Sequence, residues 1–464
     1  MTGVREPGAI LLVGCYELGH QPLAVAWPAA FLERAGYRPA VLDVSIEPFD
    51  AERVRRARLV AISVPMHTAL RLGVGVAARV RQEHPSAHIC FYGLYATLNA
   101  EHLLRHSADS VMSGEVEDAL VELARHLEAA ADRGPVGPRA ASAPILTKLD
   151  FPAPSRSLLP SLKKYAHLER GDGRLELAGY VEASRGCKHH CRHCPIPPVY
   201  GGRFFVVDRA VVMADVRQLV DAGATHITFG DPDFLNGPGH ASKLVQGLHA
   251  EFPALTYDFT AKIEHIVRHR ELFPEFAATG CVFVVSAVES LSPVVLANLE
   301  KGHTRADVQV ALEVLRRAGI ALRPAFVPFT PWATIGDFLE LLEWVAAEGL
   351  VDQIDPVQFT IRLLIPPGSL LLSRPGIQPF LDGLDAARFT YRWAHPDPRM
   401  DSLQREVSAL AEQAARRDED PAVTFGRIRM LAYARAGRGE AISRFRTPPP
   451  ERPIPARLTE PWFC

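Results

Sequence analysis

Apolar residues in the first 130 positions come in short runs, and helically spaced stretches follow several of them. The runs are 9–14, 40–44, 59–64, 87–92 and 109–112, and the helical stretches lie near 24–35, 70–83 and 116–129. Continuous apolar runs that alternate with helices predict a doubly wound parallel sheet. Ligands bind such sheets at the carboxyl ends of the strands. The loops predicted there are 15–22, 65–68, 93–97 and 113–117.

The alternation starts again at residue 179. The predicted strands are 180–184, 225–229, 256–260, 282–286, 321–327 and 354–361, and the predicted helices are 208–222, 240–251, 264–278, 305–317 and 334–348. Six strands with five helices between them indicate a partial (β/α)6 barrel. In such barrels the chemistry lies on the loops at the carboxyl ends of the strands.

Prolines and helical spacing divide the rest of the chain. We expect an α/β domain over 1–130, a proline-rich linker over 131–178, the barrel over 179–370, a helical accessory region over 371–445 and an extended tail over 446–464. The helical spacing of the fourth region is clearest at 401–416 and 421–436.

Composition narrows the class of protein. The 464 residues are 48% hydrophobic and 22% charged, with a net charge of −2, which gives no reason to expect a nucleic-acid or membrane partner. No apolar run reaches the roughly 20 residues of a membrane helix, and the start does not resemble a signal peptide. Seven cysteines, three of them clustered, favour a reducing cytoplasm over a disulfide framework.

The clustered cysteines follow the first barrel strand. Cys187, Cys191 and Cys194 have the spacing C-x3-C-x2-C. Three thiolates on one loop suit a cubane iron–sulfur cluster and leave its fourth iron free for a substrate or cofactor. The alternative is a zinc site completed by one of the interleaved histidines, although zinc ligands usually come as two separated pairs and the chain shows no second pair.

This cysteine motif resembles the signature of the radical S-adenosylmethionine (SAM) superfamily. The resemblance implies a [4Fe-4S] cluster whose open iron chelates SAM, and whose electron cleaves the sulfonium to give a 5′-deoxyadenosyl radical. The motif usually has an aromatic residue before its last cysteine. This chain has His193 there, which implies a weaker stacking contact with adenine.

The resemblance also implies SAM contacts at the ends of later strands. After strand two, Asp231 and Asp233 are candidates for the amino group of SAM, and an Asp-Pro turn is the structural alternative. After strand three, Lys262 and Glu264 are candidates for the carboxylate and ribose, or form a solvated ion pair. The remaining candidates are Ser286, Glu289 and Arg323, and a structural salt bridge would equally explain Arg323.

The first domain resembles the cobalamin-binding domain that precedes many radical SAM domains. The resemblance rests on the segments 63–67 and 113–117, and it implies cofactor contacts at Pro65, Gly93, Gly114 and Glu115. No G-x-G-x-x-G follows the first strand, so a dinucleotide is not expected. The loop 15–22 does not match the Asp-x-His-x-x-Gly motif that supplies a lower cobalt ligand. The alternative is a degenerate scaffold in which His20 and His67 are ordinary loop residues.

The chain ends in Leu-Thr-Glu-Pro-Trp-Phe-Cys, which resembles the tail of the CUAEP/CCAEP radical SAM proteins up to its first cysteine. A UGA codon after Cys464, decoded as selenocysteine, would complete the likeness. The alternative is a terminal cysteine present by chance.

Together these patterns predict a cytoplasmic radical SAM enzyme that abstracts hydrogen from an unidentified small molecule or peptide. Cobalamin would add methyl transfer or a rearrangement, and a ferredoxin or flavodoxin would supply the electron. The competing hypothesis is a non-catalytic iron–sulfur or zinc module that senses redox state.

Overall fold

The computed structural model describes residues 3–129, 143–438, 452 and 454–460. The beginning of the predicted tail and residues 461–464, which carry the likeness to CUAEP/CCAEP tails, lie outside this range. Within it, every helix is too short or too polar to cross a membrane.

The first domain is a parallel sheet with helices on both faces, as predicted. Its strands and helices are β1 (Ile10–Gly14), α1 (Leu23–Arg34), β2 (Ala40–Asp43), α2 (Ala51–Arg56), β3 (Leu59–Ser63), α3 (His67–Glu83), β4 (His88–Tyr92), α4 (Leu94–Leu98), α5 (Ala100–His106), β5 (Ser110–Met112) and α6 (Glu117–Ala129). The strand order is β2-β1-β3-β4-β5 and every pairing is parallel. The order reverses between β1 and β3, the point at which doubly wound sheets bind their ligands.

The second domain is a curled sheet of five parallel strands with two short antiparallel strands at one edge. Its elements are β6 (His167–Glu169), β7 (Leu175–Val181), β8 (Ser184–Gly186), α7 (Ile196–Tyr200), β9 (Phe204–Val206), α8 (Arg209–Asp221), β10 (His226–Phe229), α9 (Pro238–Glu251), β11 (Thr256–Thr260), α10 (Ile263–Arg268), α11 (Phe273–Ala278), β12 (Cys281–Glu289), α12 (Pro293–Leu299), α13 (Arg305–Ala318), β13 (Ala321–Phe326) and α14 (Ile335–Ala347). The parallel strands run in the order β7-β10-β11-β12-β13.

The sixth barrel strand, predicted at 354–361, does not form. Two 3-10 turns, Val351–Gln353 and Pro356–Phe359, take its place, and a single parallel bridge joins Phe329 to Arg362. Pro356 explains the difference, because a proline has no backbone N–H to give to a ladder.

The C-terminal region is mainly helical, as predicted, and contains a hairpin that the helical spacing did not indicate. Its elements are β14 (Leu381–Asp385), β15 (Thr390–Trp393), α15 (Pro398–Arg416), α16 (Pro421–Arg435) and β16 (Arg457–Leu458). Strand β16 pairs with β6 at the outer edge of the barrel sheet. Glu460 follows it and accepts a hydrogen bond from Tyr16 of the first domain at 2.7 Å.

The two domains share one apolar core. A single buried cluster runs from α1 and α6, through Leu149 and Phe151 of the connecting segment, into the barrel. Arg156 of the same segment is buried with Asp215 at 2.8 Å and donates to the carbonyl of Tyr180. These contacts hold the strand ends of the two sheets against one another, and the candidate site lies between them.

Candidate active site

The three motif cysteines lie on the loop that leaves β8 at the mouth of the barrel. Gly186 ends that strand at φ +75°, where a Cβ would come within 2.4 Å of the carbonyl oxygen of Arg203. Cys187 and Cys191 are buried and Cys194 is partly buried. The Asn236 side chain donates to Cys187 Sγ at 3.6 Å, so the first cysteine is also tied to the loop after β10.

The three thiols act on one another electrostatically, but their sulfur atoms do not all lie within 4.8 Å of one another. Burial raises the pKa of Cys194 to about 12, and the neighbouring Cys187 and Cys191 raise it further, while the ammonium of Lys301 lowers it. A single metal ion would bring its ligand atoms close together, but in the described part of the chain only His189, Asp233 and His265 place three within 4.8 Å of one another. The three sulfurs are therefore not gathered as the ligands of a single ion would be, and the spacing of the motif remains the argument for a cubane cluster.

A buried ion pair lies beside the cysteine loop. Glu289, at the end of β12, has φ +64° and accepts from Lys301 at 3.1 Å and from His193 at 3.0 Å. Burial acts to raise the pKa of Glu289, but Lys301 and His193 outweigh it and hold that pKa far below its usual value. Both predicted residues, His193 and Glu289, therefore belong to one charged network at the barrel mouth.

The two aspartates after β10 have separate environments. Asp231 accepts from the Ala183 N–H at 2.9 Å and from the Ser184 hydroxyl, so it fixes the turn that leads into the cysteine loop. Burial raises the pKa of Asp231 to about 7. Asp233 lies against His189 and His265; burial acts to raise its pKa, but the two imidazoles hold it below its usual value.

Lys262 and Glu264, the candidates after β11, pair with each other. Their side-chain N and O atoms are 3.4 Å apart, and Lys262 Nζ is 3.2 Å from His189 Nδ1. Arg268 also donates to Glu264, at 2.6 Å. The pair is at the barrel mouth, as predicted, and its polar atoms have partners within the protein.

The candidates Ser286 and Arg323 are buried and already bonded. The hydroxyl of Ser286 donates to the Ala261 carbonyl at 2.6 Å, and Arg323 Nη2 pairs with Asp355 at 2.8 Å. These contacts agree with the structural alternative for Arg323, and a role in SAM binding remains a prediction for both residues.

A cavity of about 220 Å³ separates the strand ends of the two sheets. Its walls include three of the predicted cofactor residues, Pro65, Gly93 and Gly114, and on the barrel side Ser184, Gly230 and Pro232. The absence of a side chain at Gly114 also lets the backbone of the connecting segment pack closely, because a Cβ there would lie 2.2 Å from the Ile145 carbonyl oxygen. The first domain thus faces the barrel with glycine and proline positions beside larger side chains, Tyr92, Leu94 and Glu117.

Glu115, the fourth candidate from the first domain, faces Arg185 of the barrel. Arg185 Nη1 lies 3.2 Å from Glu115 and 2.5 Å from Glu117, and its Nε lies 3.2 Å from Glu182. Tyr200 donates to the second oxygen of Glu115 at 2.8 Å. Three carboxylates share one guanidinium, and burial raises the pKa of both Glu115 and Glu182.

Sequence reasoning gave Arg185 no role, although it lies two positions before the first motif cysteine. Its guanidinium also lies 4.6 Å from the ring of Trp27 and 4.7 Å from that of Phe151, which completes a contact between the two domains and the connecting segment. Lys301 and His265 were missed as well. Their partners lie 12 and 32 residues away in the chain, and no local motif marks such a pair.

The predicted loop histidines do not line the cavity. His20 stacks on Tyr180 with ring centroids 4.6 Å apart, and burial lowers its pKa to about 3. His67 Nε2 lies 2.7 Å from the carbonyl oxygen of Arg388. Both rings have partners inside the protein, in agreement with the alternative that they are ordinary loop residues.

Two domain families match the chain. Residues 181–345 match the Radical SAM superfamily, and residues 9–124 match the B12 binding domain. The matched segments coincide with the barrel and with the first parallel sheet. They favour the iron–sulfur interpretation of the cysteine motif over the zinc alternative.

Curated relatives match over part of their length. A ribosomal protein uS12 methylthiotransferase RimO of Clostridium acetobutylicum is 24% identical over 186 residues, which cover 37% of this chain and 40% of that protein. A bacteriochlorophyllide d C-12(1)-methyltransferase of Chlorobaculum tepidum is 24% identical over 243 residues, 51% of this chain and 49% of that protein. The chain thus spans about half of these relatives or less.

Solved structures share the fold. The cobalamin-dependent S-adenosylmethionine radical enzyme OxsB, with aqua-cobalamin and S-adenosylmethionine bound, superposes with a TM-score of 0.67 at 14% identity, over 88% of this chain and 67% of that one. The radical S-adenosylmethionine methyltransferase TsrM of Kitasatospora setae, with cobalamin and a [4Fe-4S] cluster bound, superposes with a TM-score of 0.57 at 17% identity. The superposition covers 74% of this chain and 70% of that one.

Proposed function

The chain carries a radical SAM domain behind a B12-binding domain, and from that premise we propose that it is a cobalamin-dependent radical SAM enzyme. The observation that supports this most directly is the position of the cysteine loop. It leaves β8, the short strand that follows the first barrel strand, at the cavity that separates the barrel from the switch point of the B12-binding sheet. The proposed substrate is a small molecule or a peptide.

In this proposal Cys187, Cys191 and Cys194 hold a [4Fe-4S] cluster. When bound, the cluster supplies an electron that cleaves SAM to a 5′-deoxyadenosyl radical. The protein keeps the thiolates buried, and Asn236 and Lys301 give them a hydrogen bond and a nearby positive charge. A ferredoxin or a flavodoxin is the proposed electron donor.

SAM would lie between the cysteine loop and the barrel strand ends. Glu289, which is buried, and His193, which is partly buried and lies 3.0 Å from it, are the candidates at that mouth. Lys262 and Glu264 lie on the neighbouring strand end and would exchange their mutual contact for SAM. Asp231 would act by positioning, since both its oxygens accept bonds from the turn before the cysteines.

Cobalamin would lie against Pro65, Gly93 and Gly114, where the first domain presents little side-chain bulk. Methyl transfer is the proposed outcome, and a rearrangement is the alternative. The names of two relatives, a methylthiotransferase and a methyltransferase, favour transfer of a one-carbon group.

We also propose the finer relationship to the CUAEP/CCAEP-tail proteins. It rests on the sequence that ends at Cys464. The gene sequence tests it: a UGA codon followed by Ala-Glu-Pro codons is expected after the cysteine codon, and a UAA stop there would contradict it.

The activity is tested on anaerobically reconstituted full-length protein. With SAM and dithionite we expect 5′-deoxyadenosine, measured by chromatography, and no product from Cys191→Ala, which should also lose iron. Cys281→Ala is the matched control, because Cys281 is buried at the start of β12, away from the cysteine loop. Iron-loaded wild-type protein that forms no 5′-deoxyadenosine would favour the redox-sensing alternative.

A further inference from the structure

Three ligand atoms meet beside the cysteine loop, at Asp233, which the sequence made a candidate for the amino group of SAM, and at two histidines that the proposed function does not use. They are Nε2 of His189, Oδ2 of Asp233 and Nδ1 of His265, and all lie within 4.8 Å of one another. The Asp233 side chain is 1% exposed and the His265 side chain 7%. The residues come from the cysteine loop, the loop after β10 and helix α10, so the meeting point joins three separate segments.

The contacts among these atoms are close but poorly aligned for hydrogen bonding. His265 Nδ1 lies 2.7 Å and His189 Nε2 lies 3.2 Å from the same carboxylate oxygen. None of the three buried atoms has a hydrogen-bond partner of acceptable geometry. A buried polar atom without a hydrogen-bond partner lowers the stability of the folded protein. Three such atoms close together are best explained by one ligand that all three contact.

A metal ion satisfies this geometry. Ligands that surround an ion at about 2.1 Å lie roughly 3 Å apart, with their lone pairs aimed at the ion and not at one another. Two imidazoles and one carboxylate form a set that binds zinc or iron(II) and leaves further positions open.

The outer nitrogen of His189 has groups that can orient the ring. Its Nδ1 lies 4.0 Å from Glu264 Oε2 and 3.2 Å from Lys262 Nζ. With Nε2 on an ion, Nδ1 is the nitrogen that faces these two side chains, and such outer neighbours fix the orientation of a ligating imidazole.

We propose that His189, Asp233 and His265 form a second metal site, separate from the cysteines, which binds one divalent transition-metal ion through nitrogen and oxygen. The ion ties the cysteine loop to the ends of β10 and β11. This proposal does not depend on the radical chemistry, because it predicts a metal with no sulfur ligand.

The test uses full-length protein with its cluster reconstituted, treated with EDTA and desalted anaerobically. Titration with CoCl2 should load one cobalt per chain beyond the cluster iron, measured by inductively coupled plasma mass spectrometry. X-ray absorption at the cobalt edge should show nitrogen and oxygen neighbours with imidazole scattering and no sulfur. Sulfur neighbours, or no retained cobalt, would overturn the proposal.

Variants locate the site. Asp233→Asn and His265→Gln should each weaken cobalt binding at least about tenfold, and His269→Gln, four residues further along, should leave it unchanged. His189→Gln should behave like the first two and His190→Gln like the control. Equal affinities across all five proteins would overturn the assignment, and failure of 5′-deoxyadenosine formation with cobalt still bound would contradict only the proposed function.

Discussion

The two parallel sheets direct their strand ends into the same cavity but contribute different chemistry. The barrel presents the cysteine loop, His193, Glu289 and Lys262 at its mouth. The first domain lines the cavity with Pro65 and glycines, together with a few larger side chains such as Tyr92. The barrel mouth thus gathers sulfur and charged side chains at fixed positions, whereas the glycines of the first domain leave room in the cavity. Under the proposed function, the barrel would carry the reaction and the first sheet would contribute shape.

The two domains also differ in the protonation of a buried glutamate. Glu289 of the barrel has Lys301 and His193 as partners and keeps a pKa far below normal. In Glu17 of the first domain, burial and the nearby Glu182 raise the pKa to about 8, and the distant Arg156 only partly opposes this. Equal burial thus gives opposite protonation, and the cation within reach decides the outcome.

The largest expected effect comes from removing the cation that the two regions share. Arg185→Met would leave the buried Glu115 and Glu117 and the partly buried Glu182 without their guanidinium. We expect a loss of about 3–5 kcal/mol in stability, since breaking a buried ion pair strands its partner charge. The denaturant midpoint of the protein without cofactors measures this.

The matched control is Arg174→Met. The side chain of Arg174 is 76% exposed, and its ion pair among the described residues is with Asp172, so its removal should change stability by about 0–1 kcal/mol. Equal shifts in the two variants would mean that the three glutamates do not depend on Arg185.

The second largest loss of stability is expected from breaking the buried Lys301–Glu289 ion pair of the barrel. Lys301→Met should destabilise the protein by about 3 kcal/mol, because Glu289 would remain buried with only His193. The double variant Lys301→Met/Glu289→Gln should recover part of this loss, and the coupling between the two changes, from unfolding midpoints, measures the pair. Additive effects of the two substitutions would show that the ion pair is not a unit.

The sequence predicts the two sheets well because buried parallel strands are continuous apolar runs that a local pattern reveals. It indicates the cysteine loop because three cysteines lie within eight residues. It fails at the sixth barrel strand, where Pro356 favours a 3-10 turn over a ladder. It also fails where partners are distant, as for Lys301 with Glu289 and Arg185 with Glu117, because nothing near either residue encodes the contact.

A pH experiment sharpens the contrast between the two glutamates. The raised pKa of Glu17 means that the folded protein keeps a proton between pH 4.5 and about 8 that the unfolded chain releases. Wild-type stability therefore falls as pH rises through this window. Glu17→Gln cannot ionise, so its stability relative to wild type should rise between pH 5 and pH 9, on the order of 2 kcal/mol.

Unfolding midpoints at the two pH values measure this difference. Three charged groups act on Glu17 and are unchanged in the variant: Glu182, Asp43 and Arg156. Glu122→Gln, on the exposed face of α6, is the control and should show no such trend. A constant difference between wild type and Glu17→Gln would contradict the raised pKa.

The smallest expected effect tests whether the first domain acts through shape. Gly93 lines the cavity at φ +106°, and a Cβ there would lie 3.1 Å from the carbonyl carbon and oxygen of Val64. Gly93→Ala should cost about 1 kcal/mol in stability and weaken hydroxocobalamin binding about tenfold, followed by its visible spectrum. Gly75→Ala, in helix α3, has open space around the new Cβ and should leave cobalamin binding unchanged. If Gly93→Ala binds cobalamin with the affinity of wild type, the cobalamin does not contact the end of β4. The absence of a side chain at Gly93 would then not be needed for cofactor binding.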